Sequence, residues 1–205
     1  MKNSFFCNIT RGMIYASLLG TIACSTGTEA PDNKSDEAID CIMTRCTVRN
    51  FAAKPISDDT VEIILKAGMS APSAMNKQPW KFVVVQNEPL ACLMDSMNYN
   101  AGKRNAALAI IVCGDSARFI DGQGADFWVQ DCSAATENIL LASHALGLGA
   151  GWNGCYPALD RCEKVKDCLN LTDNLVPLSI VLVGHPEGPG EVKDKWNPDN
   201  IIVVN

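Results

Sequence analysis

Histidine is nearly missing from this chain: His144 and His185 are the two among 205 residues. Neither stands in a His-Glu-x-x-His run or a Ser-His-Asp order, which leaves metal-peptidase and triad-hydrolase chemistry without residues to perform it. Both read as structural, His144 within a helical pattern and His185 in the turn before Pro186. Cysteine is plentiful, ten in all, but no two stand at the two-residue spacing of a zinc or thioredoxin site. No metal is expected. The formal net charge is −6 and no basic stripe interleaves with aromatics, which excludes nucleic acid as a partner. A phosphate-binding glycine loop is missing too. Gly149, Gly151 and Gly154 spell Gly-x-Gly-x-x-Gly, but they follow a helical pattern and no helix starts after them, so the dinucleotide fingerprint fails on context.

The residues present suit one compact domain with a sizeable core, at 47% apolar composition. Residues 1–23 read as a signal peptide of lipoprotein type. Lys2 and Arg11 flank a polar start, and Gly12 to Ala23 is uncharged and too short to span a bilayer. Ala23 before Cys24 would make Cys24 the lipid-bearing first residue and anchor the protein at the cell envelope, although Thr21 stands where such signals carry Leu, Val or Ile. Residues 24–40 are polar enough to form a flexible tether, with the folded domain expected over 41–205. The scattered cysteines instead suit a reducing, cytoplasmic address, and an uncleaved tail or a later start would serve it. Both addresses stay open.

The densest chemistry lies between Ala71 and Trp80. Pro72 and Pro79 each remove a backbone donor and bar a helix, so Ser73, Asn76 and Gln78 sit on a stiffened loop. Such side chains supply donors and acceptors for a flat heteroaromatic edge, with Trp80 to close the site or anchor the loop. Upstream, Arg45, Thr47 and Arg49 put two guanidinium forks and a hydroxyl within reach of one dianion. Ser57 caps a helix through Val61, Ile64, Leu65 and Gly68 that delivers the chain to the loop. Strands are expected over 81–86, 108–113 and 177–184, and helices over 88–97, 127–146 and, capped by Asp160, as far as Leu169. The apolar end Ile201 to Val204 reads as a strand added to a partner's sheet.

The loop resembles that of the nitroreductase family of flavoproteins, Pro-Ser-x-x-Asn-x-Gln-Pro-Trp, at every specified position. The resemblance implies an α+β fold, a mixed central sheet flanked by helices, assembled as an intertwined homodimer with FMN sites between subunits. It makes Arg45, Cys46, Thr47 and Arg49 the FMN-phosphate segment, Thr47 replacing the family's Ser. Lys193 and Lys195 complete it, Lys195 standing where the family has Arg. Pro72, Ser73, Asn76 and Gln78 become flavin contacts. Asn100 and Lys103 resemble an Asn-x-x-Lys that meets the ring and ribityl chain, and Asn153 and Gly154 pass its reactive edge. The implied activity is hydride transfer from NAD(P)H or another reduced donor through flavin N5 to nitroaromatic, quinone or similar small-molecule acceptors. The alternative is a lipid-anchored FMN electron-transfer protein without small-molecule turnover.

Overall fold

The structure is a computed structural model that describes residues 33–204. The expected signal peptide, Cys24 and the first part of the tether lie outside the described residues. Helix α1 runs Asn33–Thr44, so the last part of the expected tether, 33–40, is helical. Polarity misled here because an exposed helix face has the same composition as a tether. Asp36 in the first turn favours the helix, since a carboxylate complements the exposed amides there.

The sheet is made of β1 (Phe51–Ala52), β2 (Trp80–Val85), β3 (Leu108–Asp115), β4 (Gly149–Gly154) and β5 (Leu175–Pro186). Its order is β1-β5-β3-β2, with β4 also on β5. These ladders are antiparallel; a parallel bridge joins Thr47 to Ala150. Every residue of β3 is buried, because helices cover both faces of the sheet. Alternate residues divide between the faces: Leu108, Ile110 and Val112 join one core, Ala109, Ile111 and Cys113 the other. The first core is closed by α2 (Asp58–Met69) and α5 (Phe127–Ala145) through Ile64 and Ile139, the second by α3 (Asn87–Ser96) and α6 (Leu159–Leu169) through Leu93 and Val165. The architecture is α+β.

Ser57 caps α2 as its sequence position predicts, accepting from the Thr60 amide at 3.3 Å. Asp160 does not cap α6: the capping position is Ala158, whose methyl group can make no capping hydrogen bond, and Asp160 lies in the first turn. Trp80 is buried in the core and anchors its loop. The tail Ile201 to Val204 forms no ladder with the described residues, and its side chains are exposed. No helix among the described residues is long and apolar enough to cross a membrane.

Candidate functional site

Where α1 ends, the chain turns onto β4. Val48 donates to the Ala150 carbonyl at 2.9 Å, beside the Thr47–Ala150 bridge. Gly151 permits this approach: a Cβ there would stand 2.7 Å from the Val48 carbonyl oxygen, which a backbone cannot yield. From the other side the C-terminal tail docks through Gly190, whose missing side chain leaves room for the Cys46 thiol. These two close contacts gather Arg45, Thr47, Arg49, Lys193 and Lys195 around one cavity of about 170 Å³, with Glu191 on its wall. Four cations and one hydroxyl face one carboxylate there. Arg45 is oriented by α5, its Nε donating to Glu137 Oε1 at 3.0 Å. Clustered cations repel one another, and a phosphate dianion is the group whose charge and acceptor count would offset that. Cys46 fixes the tail and does not line the cavity.

A second cleft, about 520 Å³, opens on the neighbouring stretch of β4. Lys103, on the short helix α4 (Ala101–Arg104), donates from Nζ to Asn153 Oδ1 at 2.8 Å. Asn153 in turn donates to the Gly151 and Ile180 carbonyls, which fixes its carboxamide. Lys103 also stands over the Tyr99 ring, 4.5 Å from its centre. Burial lowers the Lys103 pKa, and the positive charges of Arg49 and Arg161 lower it further. Gly102 packs against Asn50 and the Arg49 carbonyl, which sets α4 beside the arginine segment. Asn100 serves as the cap of α4, its Oδ1 accepting from the Lys103 amide, so it acts here through the position of Lys103. Beyond Asn153, a Cβ on Gly154 would meet nothing within 4 Å: the strand ends as bare backbone facing open space.

The Pro72 loop is prearranged by its own polar groups. Ser73 Oγ accepts from the Gln78 amide at 3.0 Å, and Gln78 Nε2 donates to Asn76 Oδ1 at 2.9 Å. Met75, Asn76 and Gln78 hold φ of 51°, 53° and 47°, a left-handed conformation that costs non-glycine residues roughly 1 kcal/mol or more each. Asp131 of α5 holds the loop in place by accepting from the Ala74 amide at 2.9 Å, and Arg118 donates to the Gln78 carbonyl at 3.1 Å. Pro72, Ser73, Asn76 and Gln78 line neither cleft. One chain therefore brings together the phosphate-type residues, and separately Lys103 with Asn153, while the loop stands apart from both.

Sequence reasoning missed Glu137, Asp131, Tyr99 and Arg161. Each lies on a helix or a connector with no motif around it, and only packing gives it a role. His144 is bonded to Thr44 Oγ1 at 2.9 Å and lines neither cleft.

An antiparallel sheet with helices on both faces and a four-cation cleft at the β4 edge defines an α+β protein shaped to hold a phosphate-bearing ligand. The family model for the nitroreductase family matches residues 42–91 and 92–185, and the chain belongs to that family. An Archaeoglobus fulgidus protein named "Putative NADH dehydrogenase/NAD(P)H nitroreductase" is 42% identical over 170 residues, covering 81% of this chain and 97% of its own. A Bacteroides thetaiotaomicron crystal structure of the same name is 39% identical, covers 81% of this chain and 96% of its own, and superposes with a TM-score of 0.72. A Desulfovibrio desulfuricans structure solved in complex with FMN is 28% identical, covers 87% and 99%, and has a TM-score of 0.72.

Proposed function

We propose that this protein is an FMN-dependent oxidoreductase that carries electrons from NAD(P)H to a small-molecule acceptor. The observation that carries the reading is the cluster of Arg45, Arg49, Lys193 and Lys195 around one small cavity in a chain of this family. FMN supplies two-electron chemistry at ring atom N5, and it has the single phosphate that such a cleft suits. Arg45 and Arg49 would grip that phosphate with planar forks, Thr47 would add a hydroxyl, and Lys193 and Lys195 would act as point charges. Lys103 and Asn153, already joined, would present an ammonium and a fixed amide to the polar edge of the ring. The bare backbone at Gly154 lets a flat system approach closely.

The acceptors we favour are nitroaromatics and quinones. A homodimer belongs to the same proposal: the preformed loop at Pro72 to Gln78 lines neither cleft of its own chain, and a second copy would supply it. Exposed Ile42, Met43, Trp196, Ile202 and Val204 give such a copy apolar surface to cover. Anchoring at the cell envelope through Cys24 remains part of the proposal, and an exported form would draw electrons from a membrane quinol or another redox protein. The mass of the N-terminal peptide from cells tests that point.

The central test is direct. Purified protein should be yellow, release FMN and no FAD on heat denaturation, and be reduced by NADH or NADPH and reoxidised by nitrofurazone or menadione. Flavin that is reduced but never reoxidised by any acceptor would favour the electron-transfer alternative. Protein that purifies colourless and takes up no FMN would end the reading.

A further inference from the structure

The cleft beside Lys103 and Asn153 has more positive charge than one flavin edge requires. Arg161 and Lys164, from the first turns of α6, share its lining with Lys103. Against these three cations stands one carboxylate, Asp160, a surplus of two positive charges. The capping residue of α6, Ala158, makes no side-chain bond, so the positive end of this eleven-residue helix adds to the field. Two residues of the lining also hold under-satisfied polar atoms: among the described residues Arg161 Nε and the Tyr99 hydroxyl are shut off from solvent without a hydrogen bond of good geometry, Tyr99 being 8% exposed. They stand close enough for the Arg161 charge to act on the phenol. Leaving a buried donor unmade costs free energy, so a turn of the Arg161 side chain that brings its guanidinium to an acceptor oxygen in the cleft costs little in lost bonds.

We infer that this cleft receives an oxyanion carried by the substrate, with Arg161 and Lys164 as its specificity residues. The inference rests on the proposed flavin chemistry only in assigning the ligand to a substrate of that reaction; the anion site stands on its own geometry. The cleft is about 520 Å³, and with a flavin edge at its Lys103 and Asn153 side the Arg161 and Lys164 side is left for a carboxylate. Because Asn153 and Gly154 form the neighbouring strand end, an anion on Arg161 would hold the rest of its molecule toward that bare backbone. The oxyanion has two sources, a carboxylate on the acceptor or the phosphates of the nicotinamide donor.

The test uses flavin-loaded full-length protein. Equilibrium binding of 4-nitrobenzoate and its methyl ester to the oxidised protein is measured by calorimetry without donor, and KM values are measured for both acceptors and for NADH and NADPH. Arg161→Met and Lys164→Glu should each weaken 4-nitrobenzoate by about tenfold or more, the loss expected for a charge-assisted bond, with the methyl ester little changed. Asp160→Asn should tighten the carboxylate. If the KM of both nicotinamide donors rises instead while the acceptor pair is unaffected, the oxyanion is the donor's phosphate and the site stands. Unchanged binding and KM throughout would overturn the inference, and so would flavin loss in both variants, which would assign the cleft to the cofactor. Carboxylate binding that depends on Arg161 in protein without turnover would fault the oxidoreductase reading and leave the anion site intact.

Discussion

Lys103 Nζ and Asn153 Oδ1 meet at 2.8 Å, joining α4 to the end of β4 across a partly buried surface. The two partners carry opposite costs. Asn153 also serves the Gly151 and Ile180 carbonyls, so Asn153→Ala leaves a part-buried cation without its acceptor, removes two further bonds and should cost about 1–3 kcal/mol of stability. Lys103 is held against burial and the charges of Arg49 and Arg161, so Lys103→Met should leave the flavin-free protein no less stable while weakening FMN retention. Urea unfolding and the fluorescence of released flavin read the two effects separately. Equal destabilisation by both variants would contradict this account.

The phosphate cleft predicts an unequal response among its cations. Arg45 is oriented by Glu137 and can present a fork, whereas Lys195 offers a single charge on a flexible stem. Arg45→Ala should weaken FMN binding by roughly 1.5–3 kcal/mol, and Lys195→Ala by less. Dialysis followed by flavin titration checks the order. Equal losses would remove the fork from Arg45.

Gly151→Ala tests the joint that builds this cleft. The added methyl would meet the Val48 carbonyl oxygen at 2.7 Å, and backbone cannot swing aside as a side chain does. The Arg45 to Arg49 segment must then lift from β4, at about 1–3 kcal/mol, with FMN affinity lost alongside stability. A variant with native affinity and melting temperature would show the bridge to be dispensable.

Stability should fall steeply in alkali. Cys113, Cys132 and Cys155 are each pushed up from 9.0 to about 12, chiefly by burial among apolar side chains. Between those values the folded chain keeps protons that the unfolded chain has released, so this stability is fully present below pH 9 and lost as pH rises toward 12. Three such thiols give a slope of about 4 kcal/mol per pH unit within that window. Urea midpoints taken at about pH 8 and about pH 10.5 measure it. A flat profile would show the thiols ionising in the folded state.

Local signals in the chain carried much of this structure. Ser57 before an i, i+3, i+4 apolar pattern specified α2 and its cap, since both signals act within one turn. The buried run at Leu108 marked β3, and Pro72 and Pro79 barred a helix wherever the chain might fold. Asn33 to Asp40 was not legible, because a polar stretch reads alike as tether or as exposed helix and the outcome depends on the segment it leads into. Asp160 looked like a cap because residue type suggested it, but the chain enters α6 two residues earlier.

By itself, the sequence determined the family and the α+β class and singled out the arginine, lysine and loop residues, because motif residues and apolar period are properties of short stretches. Only the tertiary structure decided which of them share a cavity. Lys193 shares a cavity with Arg49 where Gly190 fits against Cys46, and Thr47 and Val48, next to Arg49, lie on β4 because Gly151 has no side chain. Lys103 was marked by its spacing from Asn100, but Arg161 joins it and Tyr99 from a helix much later in the sequence with no spacing to announce it, through packing between residues far apart in the chain.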